Sequence, residues 1–272
     1  MRLRRNLSRR GVRNARYRGK RNISRKTGRN TRYLIEIRLF GAHKHDIKNV
    51  IHDVRRRFKI RAERAVPHIT LAGSLTTNDE RKLINDFREI CIAQGQIMEL
   101  MLDGYGTFDE NKVIKVNAKP DRQLVEFRWA LINKLRPYCN LNKPWDDIKD
   151  FNPHATIAMR LTDRRFKDIK EYLHKYTSPR SRQCVARVTL LVNRGKSFDD
   201  AIILKEYDFF LRKLLSRSEA KDRGILGKTW DRINEYIEDK VQNGANINVR
   251  TSSVRKALHR RLFDDISRFF RK

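Results

Sequence analysis

No stretch of the sequence is apolar for long enough to cross a bilayer as a helix. The residues after Met1 also lack the short apolar core of a secretory signal, so the chain is expected in the cytoplasm. Cysteine is scarce. Cys91, Cys139 and Cys184 lie far apart and form no CxxC, which argues against a disulfide framework or a zinc ribbon and predicts free thiols in a reducing compartment. Acidic residues are short: 32 Asp and Glu face 63 Lys and Arg, giving a formal net charge of +31. Such an excess calls for a polyanionic partner, most simply RNA or DNA, with an anionic membrane surface as the competitor. Acids are missing altogether from residues 1–30, which hold thirteen Arg or Lys. That stretch has no hydrophobic periodicity and reads as a disordered basic arm. A solvated tail without a specific partner is nearly as good a reading, and a transit peptide ranks lower because the arm shows no amphipathic stripe.

What is present begins with a folded body over residues 31–210. "YLIEIRLF" reads as a strand, and "HDIKNVIHDVRRRFKI" has apolar residues at helical spacing (Ile47, Val50, Ile51, Val54, Phe58). The strand "AVPHITLAGSL" follows, and then a helix opened by a capping box, Thr77 with Glu80. "IMELMLDGYGTF" is a further strand. The same order recurs: strand "KVIKVNA", a helix capped by Asp121, strand "NPHATIAMRL", a helix capped by Thr162 or Asp163, and strand "VARVTLLVN", which pairs with "FDDAIILKEYDFF". The expected fold is therefore α+β and bilobal. Two pseudo-symmetric antiparallel sheets with flanking helices would enclose a central cleft, in lobes of about 31–108 and 109–210, with a segment exchange between them left open. Residues 211–272 are expected to form a basic helical extension of two helices that pack on the body, clamp RNA, or do both.

The two recurring strands carry an unusual pair. His68 and Thr70 stand two apart on a strand, and His154 and Thr156 repeat the pattern 86 residues later (154 − 68). Alternation puts His68, Thr70, Ala72 and Ser74 on one side, and His154, Thr156, Ala158 and Arg160 on one side of the second strand. A lone strand histidine is usually a satisfied core or edge residue. Two copies, each preceded by proline (Pro67, Pro153) and each in the same slot of a repeat, are harder to explain that way. Two imidazoles across a cleft can act as base and acid on a phosphodiester, one activating water or a hydroxyl and the other protonating the departing oxygen. Thr70, Thr156 and Arg160 could bind the phosphate oxygens. This chemistry needs no metal and no cofactor.

These residues resemble the paired HxT motifs of the two-histidine (2H) phosphoesterase superfamily, and within it the LigT-like 2'-5' RNA ligases and RNA 2',3'-cyclic phosphodiesterases. "GYGTF" (Gly104–Phe108) resembles the segment between the motifs. Over residues 31–210 the resemblance implies His68 and His154 as catalytic residues and Thr70 and Thr156 as phosphate-binding. It also implies an enzyme acting on RNA ends, by opening 2',3'-cyclic phosphates or reversibly joining 2'-5' linkages. Trimming of RNA 3' ends belongs to the same chemistry. Arg160 lies one residue later than the arginine usual in the second motif, and Ala155 replaces a larger aliphatic. His68 is assigned to the leaving oxygen and His154 to water. Phe108 is a candidate for stacking on a base; Tyr105 and Trp145 read as core.

A different class of function competes: an RNA-binding factor of ribosomal or processing particles, whose HxT cleft holds a nucleotide without turning it over. Two further signals are set aside. "GILGKT" lacks the first glycine and the strand of a phosphate loop, and reads as a turn before a helix that Thr229 caps. His45 and His52 share a helix face but have no third convergent ligand.

Overall fold

The computed structural model describes residues 31–60, 66–141, 144–195 and 200–242. The basic arm and the second helix expected in the extension lie outside the described residues. Within them the chain runs β1 (Arg32–Arg38), α1 (Gly41–Phe58), β2 (His68–Thr76), α2 (Glu80–Ala93), β3 (Glu99–Phe108), β4 (Val113–Pro120), α3 (Arg122–Leu135), β5 (Asn140–Leu141), β6 (His154–Ala158), α4 (Asp163–Tyr172), β7 (Arg180–Cys184), β8 (Arg187–Asn193), β9 (Ile202–Asp208), β10 (Lys213–Leu215) and α5 (Arg223–Gln242). This is an α+β fold with antiparallel pairing throughout.

The strands form one hydrogen-bonded sheet rather than two. Its order is β10-β9-β8-β1-β2-β6-β4-β3-β7, with β5 beside β2. The two HxT strands are central neighbours, joined through the pair Ile69↔Ala155. Each has as its outer neighbour the strand that precedes it across a helix, β1 beside β2 and β4 beside β6. The sheet extends beyond the expected strands at both ends. β7 escaped the sequence reading because "RSRQC" shows no apolar alternation: it is the edge strand on β3, with Arg180 and Arg182 exposed.

One face of the sheet is apolar. Tyr33, Ile35, Ile37, Ile69, Val116 and Ala155 from the strands pack with the buried stripes of α1 to α4 in a single core. The helical spacing read in the sequence places Ile47, Val50, Ile51 and Val54 of α1 there. Asp121 caps α3 by accepting from Leu124 N (2.7 Å), and Thr162 caps α4 by accepting from Arg165 N (3.4 Å). The cap of α2 differs from the expected one. Asp79 accepts from Lys82 N at 2.8 Å, while Thr77 Oγ1 donates to the Tyr138 carbonyl at 3.3 Å. Glu80 is drawn away from a capping box by Tyr33 and Arg194, whose side chains donate to its Oε2 at 2.9 and 2.8 Å. All three cysteines are buried free thiols.

α5 starts earlier than the sequence suggested. Asp222 caps it by accepting from Ile225 N (2.9 Å), so "GILGKT" forms its first turns and Thr229 lies inside the helix. Thr229 is buried for another reason: its hydroxyl donates to Asp208 Oδ2 and accepts from Arg187 Nη2, both at 2.6 Å. Ile225 packs on Leu34, Leu191 and Ile203, and Ile233 packs with Cys184 and Ala186. Trp230 meets Phe40 edge-on at 5.3 Å. This part of the extension therefore packs on the body.

Candidate active site

The two HxT segments are built the same way, bond for bond. The carbonyl of Pro67 accepts from Leu39 N, and that of Pro153 accepts from Ala118 N, both at 3.1 Å. These bonds hold each strand entry against its outer neighbour. The Nδ1–H of His68 donates to the Val66 carbonyl at 2.8 Å, and that of His154 to the Asn152 carbonyl at 2.9 Å. A carbonyl can only accept, so each Nδ1 carries a proton and each ring is oriented by its own backbone.

Each motif is followed by a one-residue slip in register. β1 pairs Glu36↔Thr70 and then Ile35↔Ala72, skipping Leu71. β4 pairs Lys115↔Thr156 and then Ile114↔Ala158, skipping Ile157. These bulges reverse the alternation just past each threonine. Ala72 and Ala158, read from the sequence as lining the polar side, are consequently in the buried core. The strand rule failed there because it assumes uninterrupted pairing.

His68, Thr70, His154 and Thr156 come together. Continuing the Ile69↔Ala155 register one residue each way sets His68 opposite Thr156 and Thr70 opposite His154. With the outer strands this makes two polar rows on the face opposite the core. One runs Glu36, Thr70, His154, Asn117; the other runs Arg38, His68, Thr156, Lys115. The histidines are diagonal neighbours, a relation that separates residues by about 7–8 Å and leaves space for one phosphate.

The surroundings of the two rings differ. Glu36 is fully buried; its Oε1 accepts from Arg38 Nε at 3.0 Å, and its Oε2 lies 3.9 Å from His68 Nε2. His154 meets Phe108 edge-on at 4.9 Å and is held below the usual histidine range, first by burial and then by the positive charges of Lys115 and His68. Lys115 Nζ lies 4.0 Å from the Phe108 ring centre. Arg160 stands two residues past the end of β6, exposed, with φ 56°, outside the register that forms the rows. The second glycine of "GYGTF" has a steric role. A Cβ at Gly106 would come within 2.5 Å of Asn117 Oδ1, so the site-facing Asn117 can lie across that strand only above a glycine. Tyr105 packs against the core, as expected.

Sequence reasoning missed Glu36, Arg38, Lys115 and Asn117. The signal was there: a single charge inside "LIEI" and inside "VIKV" is costly in a buried strand unless the face it occupies is polar. It also missed Arg128 on the apolar stripe of α3. Its Nε donates to the Leu71 carbonyl (3.0 Å) and its Nη1 to the Ile148 carbonyl (2.8 Å), while Nη2 lies 3.4 Å from buried Asp146. One guanidinium thereby ties the first bulge to the segment that leads into His154. Among the described residues no group of three or more His, Cys, Asp or Glu is placed to hold a metal ion. No helix there is long and apolar enough to cross a membrane.

A family model described as the 2'-5' RNA ligase superfamily matches residues 44–197, more than half of the chain and both HxT motifs. The chain belongs to the 2'-5' RNA ligase superfamily. The 2H phosphoesterase resemblance read from "VPHITLAGSL" and "NPHATIAMRL" is thus confirmed. Among curated proteins the chain is similar to one named Putative phosphoesterase SH1944, from Staphylococcus haemolyticus (strain JCSC1435). The two are 27% identical over 123 residues, covering 44% of this chain and 68% of that protein. Among solved structures it is similar to E. coli LigT complexed with 3'-AMP, at 18% identity and a TM-score of 0.40 over 65% of this chain and 96% of that one. It is also similar to a structure titled only as a phosphoesterase, at 19% identity and a TM-score of 0.44 over 65% and 98%. β9, β10 and α5 lie beyond the residues matched by the family model.

Proposed function

We propose that this superfamily member is a metal-independent phosphoesterase acting on RNA ends, opening 2',3'-cyclic phosphates or reversibly joining 2'-5' linkages. The observation that carries the reading is the matched pair of imidazoles on adjacent strands, each with Nδ1 tied to a backbone carbonyl, which makes Nε2 the nitrogen for proton transfer. His154, disfavoured as a cation by burial and by Lys115, is the base that takes a proton from water or a hydroxyl. His68, beside the Glu36 carboxylate, is the acid that protonates the leaving ribose oxygen. The phosphorus lies between them, with Thr70 and Thr156 donating to its non-bridging oxygens. Phe108 is the aromatic contact for a nucleobase, and Arg160 reaches the phosphate only if the segment after β6 closes over it. The net charge of +31 supplies attraction for the rest of the RNA.

The test is turnover of a 2',3'-cyclic nucleotide and of cyclic-ended RNA in EDTA, with product analysis for the 2'- or 3'-phosphate. His68→Ala and His154→Ala are each expected to lower kcat by roughly a hundred- to ten-thousand-fold. A requirement for added metal, or turnover surviving the loss of both histidines, overturns the proposal. The same excess of positive charge favours a second reading, an RNA-binding factor that holds a nucleotide without turnover. It predicts RNA binding unchanged in the double histidine variant and no product from any cyclic substrate.

A further inference from the structure

Lys115 is 4% exposed, in the middle of β4, on the sheet face that carries the histidines. A buried ammonium normally has a carboxylate against it, because leaving water is costly for an unpaired charge. Among the described residues none lies within ion-pair distance of Lys115. Its polar contact is Asn152 Oδ1 at a long 3.4 Å, and its other neighbour is the face of the Phe108 ring. The acid on this face, Glu36, stands on β1, three strands away from β4, and is engaged with Arg38. The cation is therefore desolvated, held in place and lacking a counter-charge, directly across from Thr156 and beside His154.

We propose that Lys115 is a catalytic residue of this site, whose ammonium binds a non-bridging oxygen of the substrate phosphate together with the Thr156 hydroxyl. The inference rests on the phosphoester reading above and assigns it a fixed cation. A phosphodiester carries one negative charge and supplies the missing counter-charge on binding. A charge that builds on its oxygens as the nucleophile adds is stabilised by an ammonium that needs no reorganisation. The position suits this better than Arg160, which is exposed beyond the strand end. Phe108 acquires a definite task as well: its ring face holds the ammonium while its contact with His154 fixes the distance between cation and base.

The experiment compares wild type, Lys115→Met and Lys115→Arg by three measurements: kcat and KM on a 2',3'-cyclic nucleotide, calorimetric binding of inorganic phosphate, and the thermal midpoint. Lys115→Met is expected to lower kcat/KM by roughly a hundred- to a thousand-fold, mainly in kcat, and to abolish phosphate binding. Its thermal midpoint should hold or rise, because a buried unpaired charge has been removed. Lys115→Arg should recover part of the loss. A Lys115→Met enzyme within about threefold of wild type in kcat/KM overturns the assignment while leaving the two-histidine reading standing. So does a loss of activity that merely follows a lowered midpoint. Wild-type protein that binds phosphate through Lys115 but turns over no cyclic nucleotide sinks the RNA-end reading and keeps the anion site. Protein that neither binds phosphate nor turns over sinks both.

Discussion

Replacing Arg128 by methionine tests how the site is held. The guanidinium is 1% exposed and serves three acceptors: the Leu71 carbonyl at the bulge after Thr70, the Ile148 carbonyl, and Asp146, whose side chain is fully buried. Methionine keeps much of the aliphatic volume and removes all three interactions. The buried Leu71 carbonyl left without its donor costs about 1–3 kcal/mol, whereas the Ile148 carbonyl, on a residue that is 54% exposed, can turn to water. Removing one member of a buried ion pair costs about 3–5 kcal/mol in total, since the orphaned charge must then be solvated or protonated. The larger figure already includes part of the carbonyl cost, so the expected loss is about 3–5 kcal/mol. At about 2–4 °C per kcal/mol for a domain of this size, the midpoint should fall by roughly 6–20 °C. Calorimetry and urea unfolding measure it. The double variant Arg128→Met, Asp146→Leu should be more stable than Arg128→Met alone, because the stranded carboxylate is gone. Activity measured well below the midpoint should still be reduced, as the Leu71 carbonyl fixes the turn that orients Thr70 and His68. A loss below about 1 kcal/mol would refute the reasoning, as would a double variant no better than the single one.

The acid limb of the pH profile of kcat/KM should lie below the ordinary histidine value of 6.5, because burial and the neighbouring Lys115 and His68 disfavour the charged form of His154; a limb above 6.5 contradicts the assignment of His154 as base. Thr229→Val should cost about 1–3 kcal/mol in thermal unfolding, since it removes the hydroxyl between buried Asp208 and Arg187 and so loosens α5 from the sheet. The hydroxyls of Tyr172 and Tyr176 donate to Asp53 and hold its carboxyl at about 2, below the usual 3.8. The folded value lies below the unfolded one, so this contribution is fully present above pH 3.8 and is lost as the pH falls through about 2. Asp53→Asn should flatten that part of a urea-unfolding series.

The order of elements and the two HxT strands could be read from the sequence because both rest on local rules. Helical spacing, caps such as Asp121 and Thr162, and apolar alternation are each decided within a few residues. What could not be read depends on pairing between distant strands. The bulges at Leu71 and Ile157 exist only relative to β1 and β4, so Ala72 and Ala158 went to the wrong face. The union of all strands in one sheet rests on the single pair Ile69↔Ala155, which nothing local specifies. Lys115 and Glu36 were visible as isolated charges in apolar strands, but their place beside the histidines depends on register. Thr229 looked like a cap because threonine before a helix usually is one; its buried contact with Arg187 is long-range.

Two copies of one motif raise the question of how equivalent histidines could take opposite roles in proton transfer. The backbone treats them alike, with the same proline carbonyl bond, the same Nδ1 tie and the same bulge. The difference comes from the outer strands. Opposite Thr70 stands Glu36, and at the equivalent place opposite Thr156 stands Lys115. A carboxylate lies beside the His68 ring and an ammonium beside His154, and that ammonium adds to burial in disfavouring a proton on His154. In the proposed reaction each cycle would leave the base protonated and the acid deprotonated, against that bias. The reset needs proton exchange with solvent, and both rings are partly exposed, which allows it. Interchanging the two charges by Glu36→Lys and Lys115→Glu is expected to reverse the preferred direction of proton flow. The neighbouring strands, rather than the HxT motifs themselves, would then decide which histidine gives the proton.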